Sequence, residues 1–232
     1  MIKIRKSEER GRMKLNWLQA CYSFSFANYY SAEYSGYRDL LVLNQDIVSP
    51  SGGFSTHPHN DMEIVTFIIR GTLEHKDSMG NVAQIQAGEV QRMTAGSGIT
   101  HSEFNASDTD ELELLQIWIL PDQHDLKPSY EQKFIKDFKS EGPQKLLVSP
   151  AGELNSLNIN QDVKFFQIGL KKGETWERPI NSERHYWLQV TKGDVSISNQ
   201  LVKAGDGLAV NTEKSLNFKA ATDVELLLLD LR

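Results

Sequence analysis

Residues 57–71 read HPHNDMEIVTFIIRG and form the stretch around which the rest of the sequence can be interpreted. His57 and His59 are two residues apart, so both imidazoles point to one face if they lie on a β-strand. The run Met62–Arg70 that follows is apolar on both faces, which is typical of a strand inside a sandwich or barrel. Gly71 ends the run, as expected where the chain turns. The stretch predicts buried β-structure beside a pair of candidate metal ligands.

Residues 88–103 read GEVQRMTAGSGITHSE and contain a second pair with the same spacing. His101 and Glu103 are two residues apart, which places an imidazole and a carboxylate on one face of a strand. If the two strands are neighbours inside a barrel, four nitrogen and oxygen donors converge. Neutral imidazole and carboxylate suit divalent Fe, Mn, Co, Ni, Cu or Zn, and no thiolate favours a softer metal. The two pairs together predict a metal site.

The remainder of the chain is dominated by short β-branched and aromatic runs separated by turn residues, which predicts an all-β protein of sandwich or jelly-roll type. The best helical pattern is Ser129–Phe138, where aromatic residues recur four apart behind a capping box. It lies in a polar stretch that we interpret as a connection. We therefore predict domains at 1–123 and 146–232, joined by a connecting segment with a short helix at 124–145.

An internal repeat relates the two halves. Gly71 and Gly88 of the first half correspond to Gly193 and Gly205 of the second. Counting from these glycines assigns the four donor positions His57, His59, His101 and Glu103 to Pro179, Asn181, Phe218 and Ala220, in that order. None of these four residues is a common metal ligand. We therefore expect the second domain to be architectural and to lack a metal site.

Composition narrows the class of protein. Among 232 residues, 25 Lys and Arg stand against 31 Asp and Glu, and the formal net charge of -6 argues against a dedicated nucleic-acid binder. No apolar stretch approaches the ~20 residues of a membrane span, and the charged N-terminal residues do not resemble a signal peptide. The single cysteine, Cys21, fits a reducing compartment. We expect a cytoplasmic monomer with neither membrane nor nucleic-acid partners.

Several motifs resemble the pirin family of the cupin superfamily. The segments that carry this resemblance are His57-Pro58-His59, Glu74–Asn81 and Met93–Glu103, extended by Asn16-Trp17, Phe24–Tyr30, Gln116–Ile119 and Tyr130–Gln132. The resemblance implies a bicupin, in which the N-terminal barrel holds one divalent metal through His57, His59, His101 and Glu103. Fe(II) is the expected ion, with Zn, Mn, Co, Ni and Cu as alternatives. Many other cupins place the carboxylate ligand where Glu63 stands, and here we assign Glu63 to the pocket wall or to a supporting hydrogen bond.

The same resemblance points to the bacterial pirin-like quercetin 2,3-dioxygenases. It implies a metal-dependent dioxygenase that cleaves a flavonol such as quercetin with O2 and releases carbon monoxide, with Glu103 as the catalytic base. The alternative is a non-enzymatic regulatory pirin that acts as a transcription cofactor or redox sensor, and a third reading is a cupin that acts on another small metabolite. Of the remaining histidines, we expect His75 to be structural or exposed and His124 to be solvated. His185 alone could not hold a metal.

Overall fold

The computed structural model describes all residues Met1–Arg232, and almost every regular element in it is a β-strand. The strands are β1 (Ile2–Arg5), β2 (Gly11–Lys14), β3 (Leu18–Tyr22), β4 (Leu40–Val48), β5 (Gly53–His59), β6 (Glu63–Arg70), β7 (Thr72–Asp77), β8 (Val82–Gln86), β9 (Glu89–Thr94), β10 (Ile99–Asn105), β11 (Leu112–Ile119), β12 (Ser129–Phe134), β13 (Ser140–Glu141), β14 (Gln144–Ser149), β15 (Leu157–Asn158), β16 (Lys164–Leu170), β17 (Thr175–Pro179), β18 (His185–Lys192), β19 (Asp194–Ile197), β20 (Gln200–Lys203), β21 (Gly207–Asn211), β22 (Ser215–Ala220) and β23 (Val224–Leu231). Short 3-10 helices occupy Ser7–Glu9, Ala32–Tyr34, Ile135–Asp137 and Glu153–Asn155. No helix has the length and apolar character that crossing a membrane requires.

The chain folds into two compact units. The N-terminal unit consists of Gly11–Asp137 and Leu157–Gln161, and the C-terminal unit consists of Met1–Arg10, Phe138–Ser156 and Asp162–Arg232. These units differ from the predicted domains 1–123 and 146–232 chiefly in the first ten residues. The physical reason is that β1 pairs with β21 along its whole length, so the start of the chain completes a sheet of the C-terminal unit.

Each unit contains two antiparallel sheets that enclose an apolar core. In the N-terminal unit the sheets have the strand orders β12-β9-β6-β11-β4-β3-β2 and β5-β10-β7-β8. In the C-terminal unit the orders are β1-β21-β18-β23-β16-β14-β13 and β17-β22-β19-β20. The two units therefore share one strand order, position by position, which confirms the all-β, two-barrel prediction. Inward-facing apolar residues from both sheets of a unit form its core.

The predicted helix over Ser129–Phe138 is wrong. Ser129–Phe134 is strand β12, which pairs with β9 so that Tyr130 lies opposite Met93, and only a single 3-10 turn follows at Ile135–Asp137. Side chains four residues apart share a face of a helix, but they also share a face of a strand, because four is a multiple of two. The edge of β9 offers backbone hydrogen bonds to this segment, and the strand forms.

Counting from the glycines also misplaced the second set of four positions. The amide of Ala106 bonds to the carbonyl of Thr72 after Gly71, and the amide of Ala221 bonds in the same way to Asp194 after Gly193. Stepping back three and five residues from these anchors matches Glu103 with Phe218 and His101 with Leu216. The ladder in turn matches His57 with Arg178, since His57 lies opposite His101 and Arg178 lies opposite Leu216.

The corrected residues in the C-terminal unit are Arg178, Ile180, Leu216 and Phe218, whereas Pro179 and Asn181 are exposed. The loops between the strands differ in length in the two units, so the count was wrong by one residue for His57 and His59 and by two for His101 and Glu103. Arg178 packs its guanidinium 4.2 Å from the ring centroid of Phe166 and donates to Gln144. Arg178 thus occupies the position that corresponds to His57, and burial lowers the pKa of its guanidinium.

Candidate metal centre

Two neighbouring strands of the smaller sheet in the N-terminal unit, β5 and β10, bring the predicted residues together. Strand β10 lies between β5 and β7, so that His101 faces His57 on one side and Asp77 on the other. The ring centroids of His57 and His101 are 4.5 Å apart, and His59 lies 4.9 Å from each of them. The spacing of two along each strand therefore does what the sequence predicted: it directs three imidazoles into one space.

Close approach of β5 to β10 depends on Gly53. A Cβ atom at this position would come within 2.4 Å of the backbone oxygen of Glu103 and 2.6 Å of the Cα of Phe104. Both contacts are with rigid parts of the neighbouring strand, so any side chain here would push the strands apart. Since β5 carries His57 and His59 and β10 carries His101, the glycine keeps the two halves of the site in register.

Glu103 is buried beside the imidazoles, and its carboxylate is held by a single neighbour. The amide of Gln116 donates to both carboxylate oxygens, at 3.2 Å each, and only 4% of Glu103 is exposed. Burial raises the pKa of Glu103 to about 7, and the hydrogen bonds from Gln116 act in the opposite direction. The carboxyl can therefore change its protonation state near neutral pH.

Burial has the opposite effect on the imidazoles. It lowers the pKa of His101 to about 3 and that of His59 to about 4, and in both cases neighbouring histidines lower it further. A protonated imidazole could not bind a cation, but these rings are neutral at physiological pH. These two rings consequently offer lone pairs to a cation without any need for deprotonation.

The residues fit one divalent metal ion. The Nε2 atom of His101 is buried and has no hydrogen-bond partner, although buried polar atoms are normally satisfied. The Nδ1–H of His57 donates to the carbonyl of Ser55 at 2.8 Å, which leaves Nε2 as its basic nitrogen. Donor atoms of His57, His59 and His101 lie within 4.8 Å of one another, and so do those of His75, His101 and Glu103. Three imidazoles and a carboxylate are a donor set for a borderline divalent cation.

His75 has a closer relation to the site than its sequence context indicated. It is fully buried, its ring lies 5.2 Å from that of His101, and its Nε2 lies 3.1 Å from the Asp77 carboxylate. Burial alone would raise the pKa of Asp77, but hydrogen bonds from Asn81 and His75 outweigh it and the pKa is lowered. Sequence reasoning missed Asp77, although His75 and Asp77 show the same spacing of two as the other pairs.

The other candidates lie elsewhere. Glu63 is fully buried, but its carboxylate accepts hydrogen bonds from Asn160 at 2.8 Å and Thr94 at 3.1 Å, and it belongs to neither donor cluster. Its supporting hydrogen bonds therefore hold the segment Leu157–Gln161 rather than a metal ligand. His124 is exposed, as expected, and contacts Asp61.

A cavity of about 440 Å³ opens beside the cluster. Its walls are aromatic, with Trp17, Phe26, Phe54 and Trp118. Its polar groups, apart from the metal-site residues His57, His59 and Glu103, come from Asn44, Asp46, Ser55 and Gln116. Asn44 and Gln116 are cross-strand partners on β4 and β11. Each is a polar residue within a largely apolar strand, as expected for a side chain that points into a site. That pattern is visible in the sequence and could have identified these residues.

Comparisons with known proteins agree with this geometry. The Pirin family model matches residues 3–119, and the model of the quercetinase C-terminal cupin domain matches residues 146–231. The chain is 44% identical over 231 residues to the quercetin 2,3-dioxygenase of Escherichia coli K12, covering 100% of this chain and 99% of that protein.

Two solved structures of a bacterial pirin are similar to this chain over its full length. The crystal structure of YhhW from Escherichia coli superimposes with a TM-score of 0.95 at 44% identity, covering 100% of this chain and 98% of that one. A structure of the bacterial pirin YhhW in complex with nickel(II) matches with a TM-score of 0.94 at the same identity, covering 100% and 99%. With a family model over half of the chain and a full-length relative at this identity, the chain belongs to the pirin family.

Proposed function

We propose that this protein is a metal-dependent dioxygenase that cleaves a flavonol such as quercetin with O2 and releases carbon monoxide. The observation that carries the proposal is the cluster of three imidazoles and a buried glutamate at the end of an aromatic cavity. The full-length likeness to the quercetin 2,3-dioxygenase of Escherichia coli supports the choice of substrate.

We assign His57, His59, His101 and Glu103 as the ligands of one divalent ion, with Fe(II) as the proposed native metal. The donor set and the nickel(II) complex of the Escherichia coli pirin support a divalent cation of this type. When bound here, the metal would supply Lewis-acid activation of the flavonol hydroxyl. Nε2 of His101 is buried and has no hydrogen-bond partner in the protein, so a bound cation would supply the partner that it lacks.

Glu103 would accept the proton of the flavonol hydroxyl. A carboxylate that holds a cation is deprotonated, so it would be able to accept that proton. The two hydrogen bonds from Gln116 orient the carboxylate without removing its remaining lone pairs. Both residues line the same cavity, so the proton acceptor is next to the space that the substrate would fill.

The cavity suits a flat aromatic ligand. Its volume lies within the ~300–1,000 Å³ range of small-molecule sites. Trp17 and Phe54 form one edge-to-face pair at 5.0 Å, and Phe26 and Trp118 form another at 5.5 Å. These walls would stack against the flavonol rings and exclude water, while Asn44 and Gln116 provide hydrogen-bonding groups for its hydroxyls.

The test is anaerobic reconstitution with Fe(II), followed by aerobic incubation with quercetin while flavonol absorbance and carbon monoxide are measured. We expect one carbon monoxide per flavonol consumed by the wild type and by the control His124→Ala, which alters an exposed histidine. His57→Ala and His101→Ala should lose both metal and turnover. A wild type that holds metal but leaves the flavonol intact would overturn the dioxygenase and favour the regulatory alternative.

A further inference from the structure

Next to the cluster of proposed metal ligands, three side chains follow one another within hydrogen-bonding distance: the carboxylate of Asp77, His75 and the proposed ligand His101. The Oδ2 atom of Asp77 lies 3.1 Å from Nε2 of His75, and Nδ1 of His75 lies 3.5 Å from Nδ1 of His101. The side chains of Asp77 and His75 are both inaccessible to solvent. No other function described above uses these two residues.

Asp77 can act only as an acceptor in this chain. Its Oδ1 accepts the backbone amides of Met79 and Asn81, and its Oδ2 accepts the side-chain amide of Asn81 at 2.8 Å. A carboxylate that receives three such donors is ionised and has no proton to give. The nitrogen of His75 that faces Asp77 must therefore carry the hydrogen.

The position of that hydrogen determines the others. A neutral imidazole has one N–H group, so a hydrogen on Nε2 leaves Nδ1 of His75 as an acceptor. The only arrangement that makes a hydrogen bond with His101 then places the hydrogen of His101 on its Nδ1. Nε2 of His101 is left with a lone pair, and this is the buried nitrogen that has no partner in the protein.

We propose that Asp77 and His75 are positioning residues that fix the tautomer and the ring orientation of His101, so that its Nε2 binds the metal ion. The inference rests on the proposed metal site and deepens it. It also excludes His75 as a further ligand, since one nitrogen of His75 faces Asp77 and the other faces His101. Carboxylate–histidine pairs of this kind orient metal ligands and raise their basicity.

Strand β12 contributes a side chain that packs against the ring of His75. The ring of Tyr130 packs 5.0 Å from the ring of His75, and its hydroxyl donates to Gln132 at 2.6 Å. His75 therefore has a hydrogen-bonded neighbour at each nitrogen and an aromatic ring against its side, which leaves its ring little rotational freedom.

The first measurement needs neither metal nor activity. In metal-free wild-type protein with ¹⁵N-labelled histidine, long-range ¹H–¹⁵N correlation spectra report which ring nitrogen carries the hydrogen. We expect Nδ1–H on His101 and Nε2–H on His75. Observation of Nε2–H on His101 would overturn the proposal. A wild type that shows no flavonol turnover leaves this prediction standing, so the two proposals fail separately.

The second measurement is the affinity for nickel(II) by isothermal titration. Asp77→Asn can present an amide N–H to Nε2 of His75. His75 would then carry its hydrogen on Nδ1 and donate it to Nδ1 of His101, which puts the hydrogen of His101 on Nε2. We expect this variant to bind nickel(II) ~10–100-fold more weakly. The matched control is Glu74→Gln, the same chemical change at a carboxylate of β7 that pairs with Lys76 at the surface.

A third variant covers the case in which Asp77→Asn does not fold. His75→Phe keeps an aromatic ring against Tyr130 but removes the acceptor for His101, and it should weaken nickel(II) binding on the same scale. Folded variants that bind nickel(II) like the wild type, with an unchanged His101 spectrum, would contradict the positioning role.

Discussion

At the scale of single residues, burial gives the members of the cluster different protonation states. The pKa of Glu103 is raised to about 7, whereas those of His59 and His101 are lowered to about 4 and 3. Near neutral pH the two imidazoles are already neutral, and only the carboxyl is divided between its two forms. Any proton that leaves these three groups when a cation binds must therefore come from Glu103.

This difference predicts the proton balance of metal binding. Below pH 7 the carboxyl of the metal-free protein is mostly protonated, and a cation must displace that proton; above pH 7 it is mostly ionised. We expect Glu103 to contribute more released proton per metal at pH 6 than at pH 8. Calorimetric titration in buffers of different ionisation enthalpy measures this number. Glu103→Gln should lose this contribution, and an equal release from this variant and the wild type would assign the proton elsewhere.

A second prediction concerns turnover. Glu103→Gln retains the three imidazoles and a weak oxygen donor, so we expect it to keep substantial metal while it loses the base. General base catalysis typically contributes ~100–10,000-fold, and flavonol decay should slow on that scale. Metal content and flavonol decay are measured in parallel, with Glu111→Gln as the control at a half-exposed carboxylate. Full activity in the metal-loaded variant would remove Glu103 from catalysis.

At the scale of elements, features that depend on neighbouring residues of one strand were predicted correctly, and features that depend on a distant strand were not. Pairs such as His101 and Glu103 were predictable because residues two apart share a face of any β-strand, whatever its position in the sheet. Strand β12 was not, since Tyr130 and Phe134 fit either period and the deciding partner, β9, is distant in sequence. The match across the repeat failed by one or two residues for a related reason: it had to count through loops whose lengths differ.

Strand β22 shows what replaces the donors in the C-terminal unit. Phe218 occupies the place of Glu103, is 2% exposed and stacks on Trp176 with ring centroids 5.4 Å apart. We expect Phe218→Ala to lower the free energy of unfolding by ~3–5 kcal/mol, because it loses buried apolar surface and leaves a cavity. Chemical denaturation measures the loss, and nickel(II) affinity of the folded fraction should be unchanged. A stable variant without metal affinity would instead make this strand part of the site.

At the scale of the whole molecule, the edge strand of each large sheet comes from outside the run of strands that it completes. In the N-terminal unit β12 follows the barrel and pairs with β9. In the C-terminal unit the equivalent edge is β1, whose Ile2 lies opposite Val210. The sequence Ile2–Arg5 alternates apolar and basic residues over only four positions, and nothing local connects it to a strand near the other end of the chain. This long-range pairing is the part of the fold that pattern reasoning could not reach.

The N-terminal segment is also tied to a buried charge. Asp206 is fully buried, and its carboxylate accepts the amide of Ser7 at 2.8 Å and the ammonium of Lys6 at 3.1 Å. Ile2 and Ile4 pack against the core of the C-terminal unit. Loss of this segment would expose apolar surface and remove a cation from a buried carboxylate, and both effects destabilise the same unit.

The last prediction follows from that arrangement. Deletion of residues 1–6 should lower the free energy of unfolding of the C-terminal unit by at least about 1–3 kcal/mol, the cost of leaving a buried acceptor without its partner, and the loss of Ile2 and Ile4 from the core adds to it. Hydrogen exchange should accelerate at the amides of β21, which lose their ladder with β1, and should stay unchanged in β6 of the N-terminal unit. Lys3→Ala, which shortens an exposed side chain of β1 and keeps its backbone, is the control. Both effects belong to the C-terminal unit, so faster exchange in β6 with an unaltered β21 would contradict the role of β1 as an edge strand of its large sheet.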